Sequence, residues 1–144
     1  MPLTPKALAV ALCAFLVPSA LQAQAVLYTC HIRHPAPHSG IGKLIYVLHD
    51  PATGEARALD GMIKQYRGGD IPVKVLVDNS ARTTYRWSIK RPKSENMSHG
   101  GIPLVTYTVT IMKASKAIHV SLNLSGWDNK PSANGHCETK LMKK

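Results

Sequence analysis

Residues Cys30 to Gly40, CHIRHPAPHSG, place one thiol and three imidazoles (Cys30, His31, His34 and His38) within nine positions. Zinc and copper accept thiolate and imidazole ligands, so the stretch is a candidate metal site. The competing reading is a half-cystine followed by a loop stiffened by Pro35 and Pro37. The cysteine count favours the second. Of the three cysteines, Cys13 lies in an apolar leader, which leaves Cys30 and Cys137 as an even pair without C-x-x-C spacing. In an oxidising compartment such a pair forms one structural disulfide, and the thiol is no longer a ligand. Closing a loop of about a hundred residues stabilises a fold by roughly 4 to 5 kcal/mol on the chain-entropy model.

The disulfide sharpens the metal reading instead of ending it. If the terminal strands are antiparallel neighbours with Cys30 opposite Cys137, then His31 falls opposite His136, on the other face. Facing Cβ atoms in such a pair are about 4.5 to 5.5 Å apart, close enough for two imidazoles to share one ion. A second candidate pair, Met97 with His99, offers a soft and a borderline ligand two residues apart, which suits copper. These two pairs are the metal candidates.

A different chemistry is suggested by Arg82, Arg86 and Lys90, with Arg91 and Lys93 following. At a strand's period of two, the first three share one face, and a basic stripe on a sheet can hold a phosphate or sulfate polymer. The chain has 18 Lys and Arg against 8 Asp and Glu, a formal net charge of +10. Such an excess favours anionic partners. No fold signature for nucleic-acid binding accompanies it, so no nucleic-acid partner is expected.

Catalytic motifs are absent: there is no nucleophile elbow, no H-E-x-x-H and no Gly-rich loop between strand and helix. Asp50, Asp60, Asp70, Asp78 and Asp128 all stand beside Gly, Pro or Asn in predicted turns, where a carboxylate caps backbone N–H groups. Few carboxylates remain for acid/base work, although a triad assembled by the fold needs no local motif.

The elements that must position these residues follow from pattern. Residues 1–25 carry a basic start, an apolar run from Ala7 to Leu16 and a small-residue cleavage site at Ala23-Gln24-Ala25, the layout of a secretory signal peptide. Cys13 follows Leu12, where a lipid-modification motif would need a small residue. No apolar stretch approaches the ~20 residues that span a bilayer, so any membrane contact would be peripheral. Residues 26–140 are expected to form one all-β domain, and residues 141–144 a basic tail.

Alternation of apolar and polar residues is strongest in Arg82–Lys90, Leu104–Met112 and Ala117–Ser125, each reading as a half-buried antiparallel strand. Further strands are predicted at Val26–Arg33, Lys43–His49, Glu55–Leu59, Met62–Tyr66, Val73–Asp78 and Gly135–Lys140. Lys43–His49 is apolar on both faces and reads as central in its sheet. Turn formers separate the runs, and no stretch keeps a helical period. The expected architecture is therefore an antiparallel meander forming a sandwich or a small barrel, its terminal strands joined by Cys30 and Cys137.

The expected function is that of an exported, non-catalytic binding protein for an anionic envelope component or an acidic protein partner. The first alternative is a periplasmic or secreted zinc- or copper-binding protein. The second is a small hydrolase whose site is assembled across the sheet.

Overall fold

The computed structural model describes residues 23–90 and 104–143. Its elements are β1 (Ala25–Arg33), β2 (Leu44–Asp50), β3 (Glu55–Asp60), α1 (Gly61–Arg67), β4 (Ile71–Asp78), β5 (Arg82–Lys90), β6 (Leu104–Met112), β7 (Ala117–Leu124) and β8 (Ser132–Met142). Each strand pairs antiparallel with the one before it, and β8 returns to pair with β1, so the meander closes into an eight-stranded barrel. Of the two architectures the pattern allowed, it is the barrel that forms.

The alternation decides which residues fill it. Tyr85, Trp87 and Ile89 of β5, Val105, Tyr107, Val109 and Ile111 of β6, and Ile118, Val120 and Leu122 of β7 point inward and are buried. Eight strands enclose an interior just wide enough to be filled by side chains, and these large ones fill it. Trp87 and Tyr107 face each other across β5 and β6 and stack with ring centroids 5.0 Å apart. Such aromatic pairs contribute about 0.5 to 1.5 kcal/mol beyond their buried area. Outward positions on β5 to β7 are mostly Thr, Ser, Asn, Arg, Lys and His, with Leu104, Ala117 and the exposed Met112 among them. Among the described residues, no helix is long and apolar enough to cross a membrane.

Two expectations are corrected. Met62–Tyr66, read as a strand, lies inside the seven-residue helix α1. Asp60 caps that helix by accepting the N–H of Ile63 at 2.7 Å. Gly68, with φ 78°, ends it in the left-handed region and donates its N–H to the Lys64 carbonyl. Glycine adopts that conformation without a Cβ penalty. Ile63 is fully buried in the core, and α1 packs on β3 and β5 at one end of the barrel. Nearby, the Tyr107 hydroxyl donates to the Gly40 carbonyl at 2.7 Å, tying the β1–β2 loop to the same end.

The second correction concerns β2. It is apolar on both faces, yet in a closed barrel it is no more central than any other strand. Ile45 and Val47 point into the core, while Tyr46 and Leu48 line an outer groove of about 300 Å³ together with Leu27 and Leu59.

The seam between β1 and β8 has the register that the cysteines required. Cys30 stands opposite Cys137 and His31 opposite His136. The two cysteines form a disulfide, with Cα atoms 3.9 Å apart and side chains facing into the core. The seam between β3 and β4 is the shortest, with three facing pairs, and β4 carries an irregularity against β5 between Val75 and Val77.

Candidate functional site

On β5, Arg82, Arg86, Ser88 and Lys90 stand exposed on the outer face and Thr84 is buried between the first two, while Tyr85, Trp87 and Ile89 anchor the strand inside. The neighbouring strands complete the surface. On β4, Lys74 faces Arg86 directly. On β6, Thr110, Thr108 and Thr106 face Thr84, Arg86 and Ser88. The Thr84 and Thr110 hydroxyls are 3.0 Å apart and those of Ser88 and Thr106 are 2.8 Å apart, so cross-strand hydrogen bonds hold the hydroxyl row.

The charges on this face are unbalanced. Among the described residues, the ion pairs join Arg57 with Asp70, Lys113 with Asp78, and His49 with Asp78. None uses Lys74, Arg82, Arg86 or Lys90. Like charges directly opposite on adjacent strands destabilise a sheet, so the Lys74–Arg86 pair costs stability that a bound anion would offset. Arg91 and Lys93, expected to extend the stripe, lie outside the described residues, as do Met97 and His99.

His31 and His136 face each other, exposed, on the outer surface across β1 and β8. A third imidazole belongs to the same surface. His119 of β7 faces Asn134, two residues before His136 on one face of β8, and its Nδ1 is 2.8 Å from the Asn134 Oδ1. With Asn134 accepting from Nδ1, the neutral ring keeps an open lone pair on Nε2. Among the described residues, no group of three or more His, Cys, Asp or Glu side chains is arranged to hold a metal ion. His34 and His38 are separated from this surface in the β1–β2 loop, both exposed and both at positive φ (44° and 59°).

A third cluster combines groups that are distant in sequence. At the barrel end where the β2–β3, β4–β5 and β6–β7 hairpins turn, His49 points inward and is 4 % exposed. Its Nδ1 is 3.1 Å from the Tyr85 hydroxyl, and its Nε2 lies 4.0 Å from Asp78. Asp78 in turn accepts from Lys113 at 2.6 Å and from the Thr83 hydroxyl at 3.0 Å. Asp78 was expected to cap its turn. It instead ties the ends of β2, β4 and β5 to the turn after β6, whereas Asp50 and Asp60 do cap backbone N–H groups. Imidazole next to carboxylate is the core of a general base. Here, however, the hydroxyl bonded to the imidazole belongs to Tyr85, which is wholly buried and offers no nucleophile to a substrate.

Burial holds the His49 pKa below the ordinary histidine value; Asp78 opposes this and Lys113 reinforces it. A histidine kept neutral by the fold costs stability wherever the unfolded chain would be protonated. Between pH 7 and pH 5 the unfolded state binds more protons, so stability should fall with pH, by at most about 1.4 kcal/mol per unit from this one group. Asp78 is partly buried, which raises its pKa, but its bonds to Lys113 and Thr83 outweigh that and bring it below the ordinary carboxylate value. Its contribution is therefore lost only at lower pH. Burial raises the Asp60 carboxyl, which acts with the opposite sign. Urea midpoints of the wild type and His49→Gln, measured from pH 7 to pH 5, isolate the histidine. The variant's profile should be flatter, and parallel profiles would refute the assignment.

Comparison with protein-family models, with curated proteins and with solved structures gives no match to this chain, so its functional reading rests on the geometry of these three clusters.

Proposed function

We propose that this barrel is an exported, non-catalytic binding protein that holds an anionic envelope component or an acidic protein partner on the outer face of β4 and β5. The observation that carries the reading is the set of four exposed cations, Lys74, Arg82, Arg86 and Lys90, which share one sheet face and have no carboxylate partner among the described residues. The strands beneath are anchored by buried aromatic and β-branched side chains, so the charges are presented on a rigid support and little ordering entropy is lost on binding. A disulfide fits an oxidising compartment outside the cytosol.

Binding through exposed charges must weaken with salt, because screening acts within about 8 Å at physiological ionic strength. Affinity for a soluble polyanion such as dextran sulfate should drop steeply between 50 and 300 mM salt, as judged by each contact's counterion release. Arg86→Ala should weaken binding about tenfold, the loss of one or two charge-assisted hydrogen bonds. Salt-independent binding, or an Arg86→Ala variant that binds like wild type, would rule the reading out.

A second reading, zinc or copper binding, is favoured by the register that sets His31 opposite His136. Adding zinc to the same titration separates the two: a metal site loses its heat of binding in His31→Ala and His136→Ala, and the polyanion face does not.

A further inference from the structure

The spacing of groups on the proposed face selects among anions. We infer that the partner is a linear acidic polysaccharide, lying along β5 with its acidic groups on the cations and its sugar hydroxyls on the threonine row. This rests on the anion-binding reading above.

Arg82, Arg86 and Lys90 recur every fourth residue on the outer face of β5. At a strand rise of about 3.3 to 3.4 Å per residue, consecutive cations stand roughly 13 Å apart. Between them come Thr84, buried with its hydroxyl against that of Thr110, and Ser88, exposed between Arg86 and Lys90. Each strand of a nucleic-acid duplex carries a charge about every 3.4 Å of helix axis, far denser than the cations of β5. An extended acidic peptide, at about 3.3 to 3.6 Å per residue, has the same excess when every residue is acidic. A sugar polymer with charged rings separated by neutral ones matches both the sparse cations and the hydroxyls between them.

The flanking strands extend the match. Thr106 and Thr108 on β6 face Asn123 and Ser121 on β7, and Thr110 faces His119. Thr106, Thr108, Ser121 and Asn123 add a belt of uncharged donors and acceptors beside the cation row, the groups that recognise sugar hydroxyls.

A third observation comes from one end of the face. Trp127 is 56 % exposed. Its segment is held at the Lys90 end of the sheet, because Ser125 donates its N–H to the Leu104 carbonyl and Leu104 stands opposite Lys90. An indole left in water presents a large apolar plane with one polar tip, which suits the apolar face of a sugar ring.

The test is calorimetric titration of the intact, disulfide-bonded domain with hyaluronan, which carries one carboxylate per two rings, against polyglutamate, polyphosphate and phosphatidylglycerol vesicles at equal charge concentration. Hyaluronan should bind tightest. Trp127→Ala should weaken hyaluronan at least threefold and leave polyglutamate unchanged, with an unaltered unfolding midpoint showing that the variant is folded. If polyglutamate, polyphosphate or vesicles bind as tightly as hyaluronan, or if Trp127→Ala has no effect, the polysaccharide assignment fails while the anion-binding reading stands. If no polyanion binds, both fail.

Discussion

Replacing Gly135 by alanine should cost more than about 3 kcal/mol of stability, at the upper end of what overpacking does, and the variant is expected to unfold at ordinary temperatures or to accumulate poorly. Gly135 sits on β8 between Ile32 of β1 and Ile118 of β7, with its missing side chain directed at β1. A Cβ added there would run into the His31 carbonyl oxygen and would lie 2.9 Å from both the His31 carbonyl carbon and the Ile32 Cα. All three are backbone atoms of a paired strand, so none can rotate away as a side chain would. Relief requires β1 and β8 to move apart, which breaks the ladder that closes the barrel. Urea unfolding measures the loss, with Ser132→Ala on the exposed face of β8 as a control expected within about 0.5 kcal/mol of wild type. A Gly135→Ala protein that loses less than about 1 kcal/mol would show that the close approach is readily relaxed.

This glycine could be placed on a strand from sequence, but its neighbour could not, and that division holds for much of the molecule. β5, β6 and β7 are legible because one face of each is wet and the other buried, so hydrophobicity alternates residue by residue. The co-facial arrangement of Arg82, Arg86 and Lys90 follows from the same period. Lys74 does not, since it reaches Arg86 only through a β4–β5 register that shifts between Val75 and Val77. The choice between barrel and sandwich was hidden because both give each strand one buried face. What separates them is the pairing of β8 with β1, a relation between the chain's two ends.

α1 was missed because seven residues are too short to show a helical period. Its legible sign was a capping one, with Asp60 before the helix and Gly68 after it. The His49 cluster was missed because its members come from the ends of separate strands. One clue was available: in β2, His49 shares the alternation of Ile45 and Val47, which predicts an imidazole turned inward. By contrast, the His31–His136 register was legible, since one cysteine pair and a period of two determine every other pairing along a regular seam.

That same seam carries the other large effect. Replacing both Cys30 and Cys137 by alanine should destabilise the domain by roughly 4 to 5 kcal/mol, because the bridge spans 107 residues and a loop of that size is costly to close. β1 and β8 are also the strands farthest apart in sequence, so their pairing is the last to be favoured by chain connectivity. Even so, β1 and β8 keep nine facing pairs without the bridge. The variant should therefore fold to the same barrel at low temperature, with unchanged far-ultraviolet circular dichroism and a melting point lowered on the order of 15 °C. In the native protein the two sulfurs are buried, with Cys30 at 0 % and Cys137 at 1 % exposure. Reductant should reach them only through opening of the barrel, at a rate that rises with urea. Gly135→Ala provides the cross-check, because residues that share one seam are not energetically independent. Without the disulfide, β1 can move away from an added Cβ, so the glycine substitution should cost less there than in the bridged protein. Equal costs in the two backgrounds would mean that the bridge does not hold the strands at their close spacing, and a loss below about 1 kcal/mol for the double alanine variant would contradict its role in closing the barrel.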